Sequence, residues 1–148
     1  VWEPGAHAGT FRGNQLAMRA GTVVMNRVSK PDFLDDVVKK GEIFAKRLEE
    51  IKSKVSIIGD IRGKGLMRGI EFVDPKSQSD SLGAKKASGE IAALVQKRCF
   101  ENRLVMEKGG RNGAVMRCLC ALNVTMEDLE KALDIIEKVI IEVDLEQK

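Results

Sequence analysis

The sequence predicts an α+β fold: a small antiparallel-rich sheet with helices packed on one face. Three observations point there. Apolar residues recur at helical spacing in four stretches, and short β-branched or alternating runs lie between them. The two patterns are mixed along the chain, in the order helix, helix, strand, strand, helix, strand, strand, helix. A chain of 148 residues, 43% of them hydrophobic, is also long enough to bury a single sizeable core.

Residues 1–13 read as a loop, with Gly5, Gly9 and Gly13 among small and polar residues. Asn14 is placed to cap a first helix, because its side-chain oxygen can accept a free N–H of the first turn. Leu16, Ala17, Ala20, Val23 and Val24 follow at helical spacing. Pro31 fits the first position of a second helix. Its apolar stripe is Phe33/Leu34, Val37/Val38, Phe44, Leu48 and Ile51. Asp32, Asp35 and Asp36 near its start, with Lys52 and Lys54 near its end, suit the helix dipole.

Val55 to Ile58 reads as a short strand closed by Gly59-Asp60, and Leu66 to Val73 as another. In the latter, Ile70 and Phe72 share one face, Gly69 and Glu71 the other. Ala84 to Glu101 returns to helical spacing through Ala87, Ile91, Leu94, Val95 and Cys99. Leu104 to Glu107 reads as a strand, Lys108 to Gly113 as a basic glycine-rich turn, and Ala114 to Leu119 as the last strand. Thr125 followed by Asp128 is a capping pattern, and Leu129, Leu133, Ile136, Val139, Ile140 and Val143 give a closing helix.

Composition excludes several classes. Lys and Arg exceed Asp and Glu by only three charges, and the pI is near 8.8, so no nucleic-acid binder's concentrated positive charge is present. Tyr is absent and Trp2 stands alone, leaving no aromatic platform for bases. The longest uncharged stretch, Cys118 to Met126, is too short to span a membrane. Val1 to Pro4 lacks the features of a secretory signal, and the missing initial Met reads as a processed chain or a fragment. Cys99, Cys118 and Cys120 form no disulfide framework. Cys118-x-Cys120 lacks a second ligand pair, and the single His7 is far away, so no metal site is expected. Reduced thiols fit a cytoplasmic protein.

Four features carry possible chemistry. Gly63-Lys64-Gly65-Leu66-Met67-Arg68-Gly69 has the wrong glycine spacing for a dinucleotide loop and precedes a strand, so its glycines read as a tight turn and close packing. Arg62, Lys64 and Arg68 read either as a phosphate-binding patch or as a solvated strand edge. His7-Ala8-Gly9-Thr10-Phe11-Arg12-Gly13-Asn14 sets a hydroxyl and flexible backbone N–H groups just before a helix start, which suits either a phosphate or a plain capped loop. Arg117 shares a strand face with Val115 and Leu119. It either needs a paired anion or lies in water.

Pro4 to Ala17, Arg62 to Glu71, and Gly110 to Arg117 followed by Leu122 to Thr125 together resemble class III pyridoxal-phosphate-dependent aminotransferases, in order and over essentially the whole chain. The resemblance implies a fold type I C-terminal small domain at residues 29–148, preceded at 1–28 by the tail of the large cofactor-binding domain. It implies that Gly9 and Thr10 hold the phosphate of pyridoxal 5'-phosphate in the neighbouring subunit of a homodimer, and that Arg117 grips the substrate α-carboxylate. The lead-in residues point to the branch that moves an amino group between 2,4-diaminobutyrate and 2-oxoglutarate. The ornithine, acetylornithine and 4-aminobutyrate branches share much of the pattern, and a non-catalytic phosphate-binding or interaction module is the alternative of another class. The resemblance places the Schiff-base lysine upstream, so no catalytic residue falls here, and a piece of this extent is expected to be inactive alone. Amino-acid and 2-oxo-acid substrates are the implied partners, without nucleic acid or membrane. One departure stands out: Cys120-Ala121 occupies the place of the family's Pro-Pro, which removes two φ restraints downstream of Arg117.

Overall fold

The computed structural model describes residues 3–6 and 8–148. They form two compact units, residues 1–36 and 37–148. In the first unit, a loop leads into helix α1 (Gln15–Val28), capped by the Asn14 side chain, which accepts from the Ala17 N–H at 3.0 Å. α1 buries no residue, and Leu16, Met18, Val23, Val24 and Met25 are all exposed. Helix α2 (Pro31–Lys52) begins on the expected proline and carries its chain into the second unit.

The second unit is an α+β layer. Strands β1 (Ile58–Lys64), β2 (Met67–Phe72), β3 (Glu107–Gly109) and β4 (Val115–Leu119) form one antiparallel sheet in the order β1-β2-β4-β3. Helices α3 (Gly89–Glu101) and α4 (Met126–Gln147) complete it. Alternation divides the sheet. Ile70 and Phe72 of β2 and Met116 and Cys118 of β4 are buried with Phe44, Leu48 and Ile51 of α2, Val95 of α3, and Leu133, Ile136, Val139 and Ile140 of α4. The opposite face, bearing Arg62, Met67, Arg117 and Leu119, is exposed.

Three boundaries differ from the sequence reading. The first strand does not end at Gly59-Asp60. It starts at Ile58 and runs to Lys64, because a register irregularity between Ile58 and Asp60 lets an edge strand absorb those residues. The third strand is Glu107–Gly109 rather than Leu104 to Glu107. Leu104 and Met106 pack against the core without pairing, and the ladder to β4 begins at Glu107 opposite Arg117. Helix α3 begins at Gly89, where the Ser88 hydroxyl accepts from the Ile91 N–H, and the preceding residues form a loop tied to Asp74 and Asp80.

The Gly63–Gly69 segment is a hairpin. Lys64 pairs with Met67, leaving a two-residue loop whose first position, Gly65, has φ +55°, a conformation that favours glycine. Helix α2 meets this turn closely: a Cβ on Gly41 would lie 2.7 Å from the Gly65 Cα. Arg68 fastens the junction, donating to the carbonyls of Gly65 (2.9 Å), Gly63 (3.1 Å) and Gly41 (2.9 Å). At the far end, the buried carboxylate of Asp144 accepts from the Ser56 N–H at 2.6 Å and its hydroxyl at 2.8 Å, anchoring α4 to the segment entering β1.

Candidate active site

Arg117 lies at the centre of β4, and strand alternation places it with Val115 and Leu119 on the open face while Met116 and Cys118 enter the core. Its guanidinium is neither buried nor free in water: Nη2 donates to Glu107 Oε1 at 2.6 Å, and the two side chains are 47% and 52% exposed. The pairing follows from register, since Glu107 of β3 sits directly opposite Arg117. Gly109, two residues on, lets the guanidinium settle; a Cβ there would lie 3.2 Å from Nη2 and 3.4 Å from Cζ.

On the β2 side, Arg117 faces Gly69, which faces Arg62 of β1. Gly69 presents no side chain, so the face opens there into a groove of about 310 Å³, with Arg117, Val115, Leu119 and Met67 among its walls. Arg62 is held by two carboxylates, Glu71 at 2.5 Å and Asp60 at 2.6 Å. Those bonds, Glu71 first, raise its pKa, and the Arg62 bond holds the Asp60 carboxyl below its ordinary value. The expected grouping of Arg62, Lys64 and Arg68 therefore separates. Arg62 and Lys64 lie on the open face, whereas Arg68, paired with Cys118, turns to the helix side and binds carbonyls.

In the first unit, Gly9 and Thr10 are exposed in a turn closed by the Arg12 N–H on the Gly9 carbonyl at 3.0 Å. A Cβ on Gly9 would meet nothing within 4 Å, so the backbone there is open to an approaching group. His7, the head of that motif, lies outside the described residues, as does Trp2. Among the described residues no cluster of metal-ligating side chains occurs, and no helix is long and apolar enough to cross a membrane. The three thiols are free. Burial pushes Cys99 up to about 11 and Cys118 up to about 12, so neither supplies a thiolate near neutrality.

Sequence reasoning located Arg117 and its face but not Glu107, Gly69 or Gly109. Their importance comes from cross-strand register, which no local motif announces.

The sequence profile of the family Aminotransferase class-III matches residues 1–140. The chain belongs to that family. It is 40% identical over 131 residues to the diaminobutyrate–2-oxoglutarate aminotransferase of Haemophilus influenzae, covering 88% of this chain and 29% of that protein. It is 37% identical over 143 residues to an acetylornithine aminotransferase of Caldanaerobacter subterraneus, covering 97% and 32%. Among solved structures, the acetylornithine aminotransferase of Elizabethkingia anophelis superimposes with a TM-score of 0.73 at 26% identity, over 95% of this chain and 33% of that one. This class III aminotransferase chain thus spans about three tenths of the length of the relatives it matches. Its four-stranded α+β layer is consistent with the small domain of such an enzyme.

Proposed function

We propose that the chain is the C-terminal part of a pyridoxal-phosphate-dependent aminotransferase that moves an amino group between L-2,4-diaminobutyrate and 2-oxoglutarate, giving aspartate 4-semialdehyde and glutamate. The observation that carries this reading is Arg117. It is a half-exposed guanidinium at the edge of an open groove, on a chain whose similarity includes diaminobutyrate–2-oxoglutarate aminotransferases from several organisms.

The residues present fit the cofactor's phosphate. A hydroxyl at Thr10 and an unobstructed backbone at Gly9 are donors of the kind a phosphate takes, and neither is buried. In this reading they hold the phosphate of the neighbouring subunit in a homodimer, and residues 1–28 belong to the large domain while 29–148 form the small one. Bound pyridoxal phosphate supplies the electron sink for bond breaking at the amino-bearing carbon. Arg117 grips the substrate carboxylate in its planar fork, which fixes where the reacting carbon lies. Val115, Leu119 and Met67 form apolar walls of the groove beside that fork. The lysine that holds the cofactor lies upstream in the longer protein, so residues 1–148 alone do not turn over substrate. A cytoplasmic enzyme is the setting that fits free thiols.

The test is a steady-state assay of the longer, cofactor-loaded protein with 2-oxoglutarate and, in turn, 2,4-diaminobutyrate, N-acetylornithine, ornithine and 4-aminobutyrate. The expected result is the highest kcat/KM with 2,4-diaminobutyrate. Preference for N-acetylornithine would reassign the donor, and no transfer from any of the four would overturn the reading.

A further inference from the structure

The open face carries one row of four cross-strand partners: Arg62 on β1, Gly69 on β2, Arg117 on β4 and Glu107 on β3. The two arginines of this row are held differently. Arg62 is saturated by two carboxylates, Asp60 and Glu71. Among the described residues Arg117 has one carboxylate partner, Glu107, which engages one nitrogen, Nη2, through one oxygen. A guanidinium carries five N–H donors, so most of the Arg117 fork is left for another anion. On the flank facing β2, Gly69 brings no side chain, and the atom nearest its Cβ position is Val115 Cγ1, at 3.2 Å, beside the groove that Arg117 lines. The flank facing β3 is taken by Glu107. Below, Gly109 supports the guanidinium plane.

We infer that Glu107 is a positioning residue for the carboxylate site: it holds Arg117 from the β3 side, and its charge sets how tightly Arg117 binds a carboxylate arriving from the Gly69 side. The inference rests on the proposed role of Arg117. Its physical basis is simple. The Glu107–Arg117 pair is half in water, so it is weak enough to be shared or displaced by an incoming carboxylate. An anion on the free part of the fork then lies beside Glu107, and the two like charges repel. Glu107 therefore keeps the guanidinium aimed while lowering its hold on product, which favours release after each half of a two-substrate cycle.

The experiment uses the longer, cofactor-loaded protein. Glu107→Gln retains length and an amide oxygen that can accept from Nη2, but removes the charge. The KM for 2-oxoglutarate is expected to fall by roughly threefold to tenfold, the range for half-exposed like charges in neighbouring positions. Added salt should narrow the difference from the parent protein, since screening weakens the repulsion. Glu107→Asp, which keeps the charge, should not show the fall. Thermal melting of both variants should match the parent, which separates this role from a structural one. An unchanged or raised KM in Glu107→Gln, with Arg117→Ala strongly impaired, overturns the inference while leaving the Arg117 assignment standing. An Arg117→Ala variant with unaltered KM overturns the assignment itself, and this inference with it.

Discussion

The two faces of the four-stranded sheet are written in the same few residues and do opposite things. Along β4, Met116 and Cys118 are buried against helices, while Val115, Arg117 and Leu119 face outward one residue away in each case. Along β2, Ile70 and Phe72 are fully buried while Gly69 and Glu71 line the open side. The covered face selects for volume and shape, because its side chains fill a close-packed interior. The open face selects for charge and for missing side chains: Gly109 leaves room for the Arg117 guanidinium, and Gly69 leaves room for the neighbouring Val115 side chain. A substitution on one face should therefore change stability, and a substitution on the other should change recognition. That separation can be tested residue by residue.

The largest effect is expected on the covered side. Phe72→Ala removes a fully buried ring from the centre of the core. It should lower the unfolding free energy by about 3–5 kcal/mol, read as a drop in the urea midpoint. Next is Arg117→Ala on the open side. In the longer protein its kcat/KM for 2-oxoglutarate should fall about 30- to 150-fold, equivalent to roughly 2–3 kcal/mol of lost carboxylate binding. Its melting temperature should stay close to the parent value, because a half-exposed ion pair contributes little to stability. If the melting temperature falls sharply as well, the division between the faces fails at its most important residue.

That division was legible in the sequence only in part. The alternation in β2 and β4 grouped Ile70 with Phe72 and Arg117 with Val115 and Leu119, since strand period decides which residues share a face. It left open whether Arg117 is buried against an anion or lies in water. The starts of α1 and α4 were readable too, because caps are local: Asn14 and Thr125 both accept the expected N–H, whereas the Ser88 cap of α3 was missed. What alternation could not supply was the partner of each exposed residue. Glu107 looked like the end of an apolar strand and turned out to begin the pairing with β4, ten residues from Arg117 across a turn containing Asn112 at φ +58°. The glycines of β1 misled in the same way. Gly59 and Gly63 read as punctuation, yet both lie within an edge strand. Gly59 sits at its register irregularity, where a Cβ would meet Val73, and Gly63 has φ +146°, where a Cβ would run into the Met67 carbonyl.

A third test reaches the covered side by a different force. Asp144 is buried, and burial pushes its pKa up, but bonds from the Ser56 N–H and hydroxyl and from Lys148 outweigh that and leave it below its ordinary value. A carboxyl with a depressed native pKa stabilises the fold above its unfolded pKa, near 3.9, and loses that contribution as pH falls through the native value. Glu137, lowered chiefly by its bond with Lys54, behaves in the same sense. Stability should therefore decline as pH drops below about 4. Asp144→Ala should lower stability at neutral pH by about 1–3 kcal/mol, because the Ser56 N–H loses its acceptor. The same variant should show a shallower acid decline. An unchanged slope would mean that Asp144 has the same pKa in the folded and the unfolded chain.

The smallest effect is expected one residue from the core. Cys118 and Leu119 are neighbours in β4, and the thiol, not the leucine, is the buried one: Cys118 is 5% exposed and Leu119 54%. Hydrophobicity alone would rank leucine as the residue to protect, whereas position in the pleat ranks cysteine. Leu119→Ser should change the stability of the 148-residue chain by no more than about 0.5 kcal/mol, as for other surface positions. Cys118→Ser should lower it by about 1–3 kcal/mol, since a hydroxyl needs a hydrogen-bond partner that this apolar site does not offer. Repeating the pair in the longer protein sharpens the comparison further. Met67 lies opposite Leu119 and is also exposed, so the two make a small apolar strip beside the arginine groove. If the rest of the enzyme closes over that strip, Leu119→Ser becomes costly there while Cys118→Ser keeps its effect. The difference between the two proteins then measures how much of the open face the missing part covers.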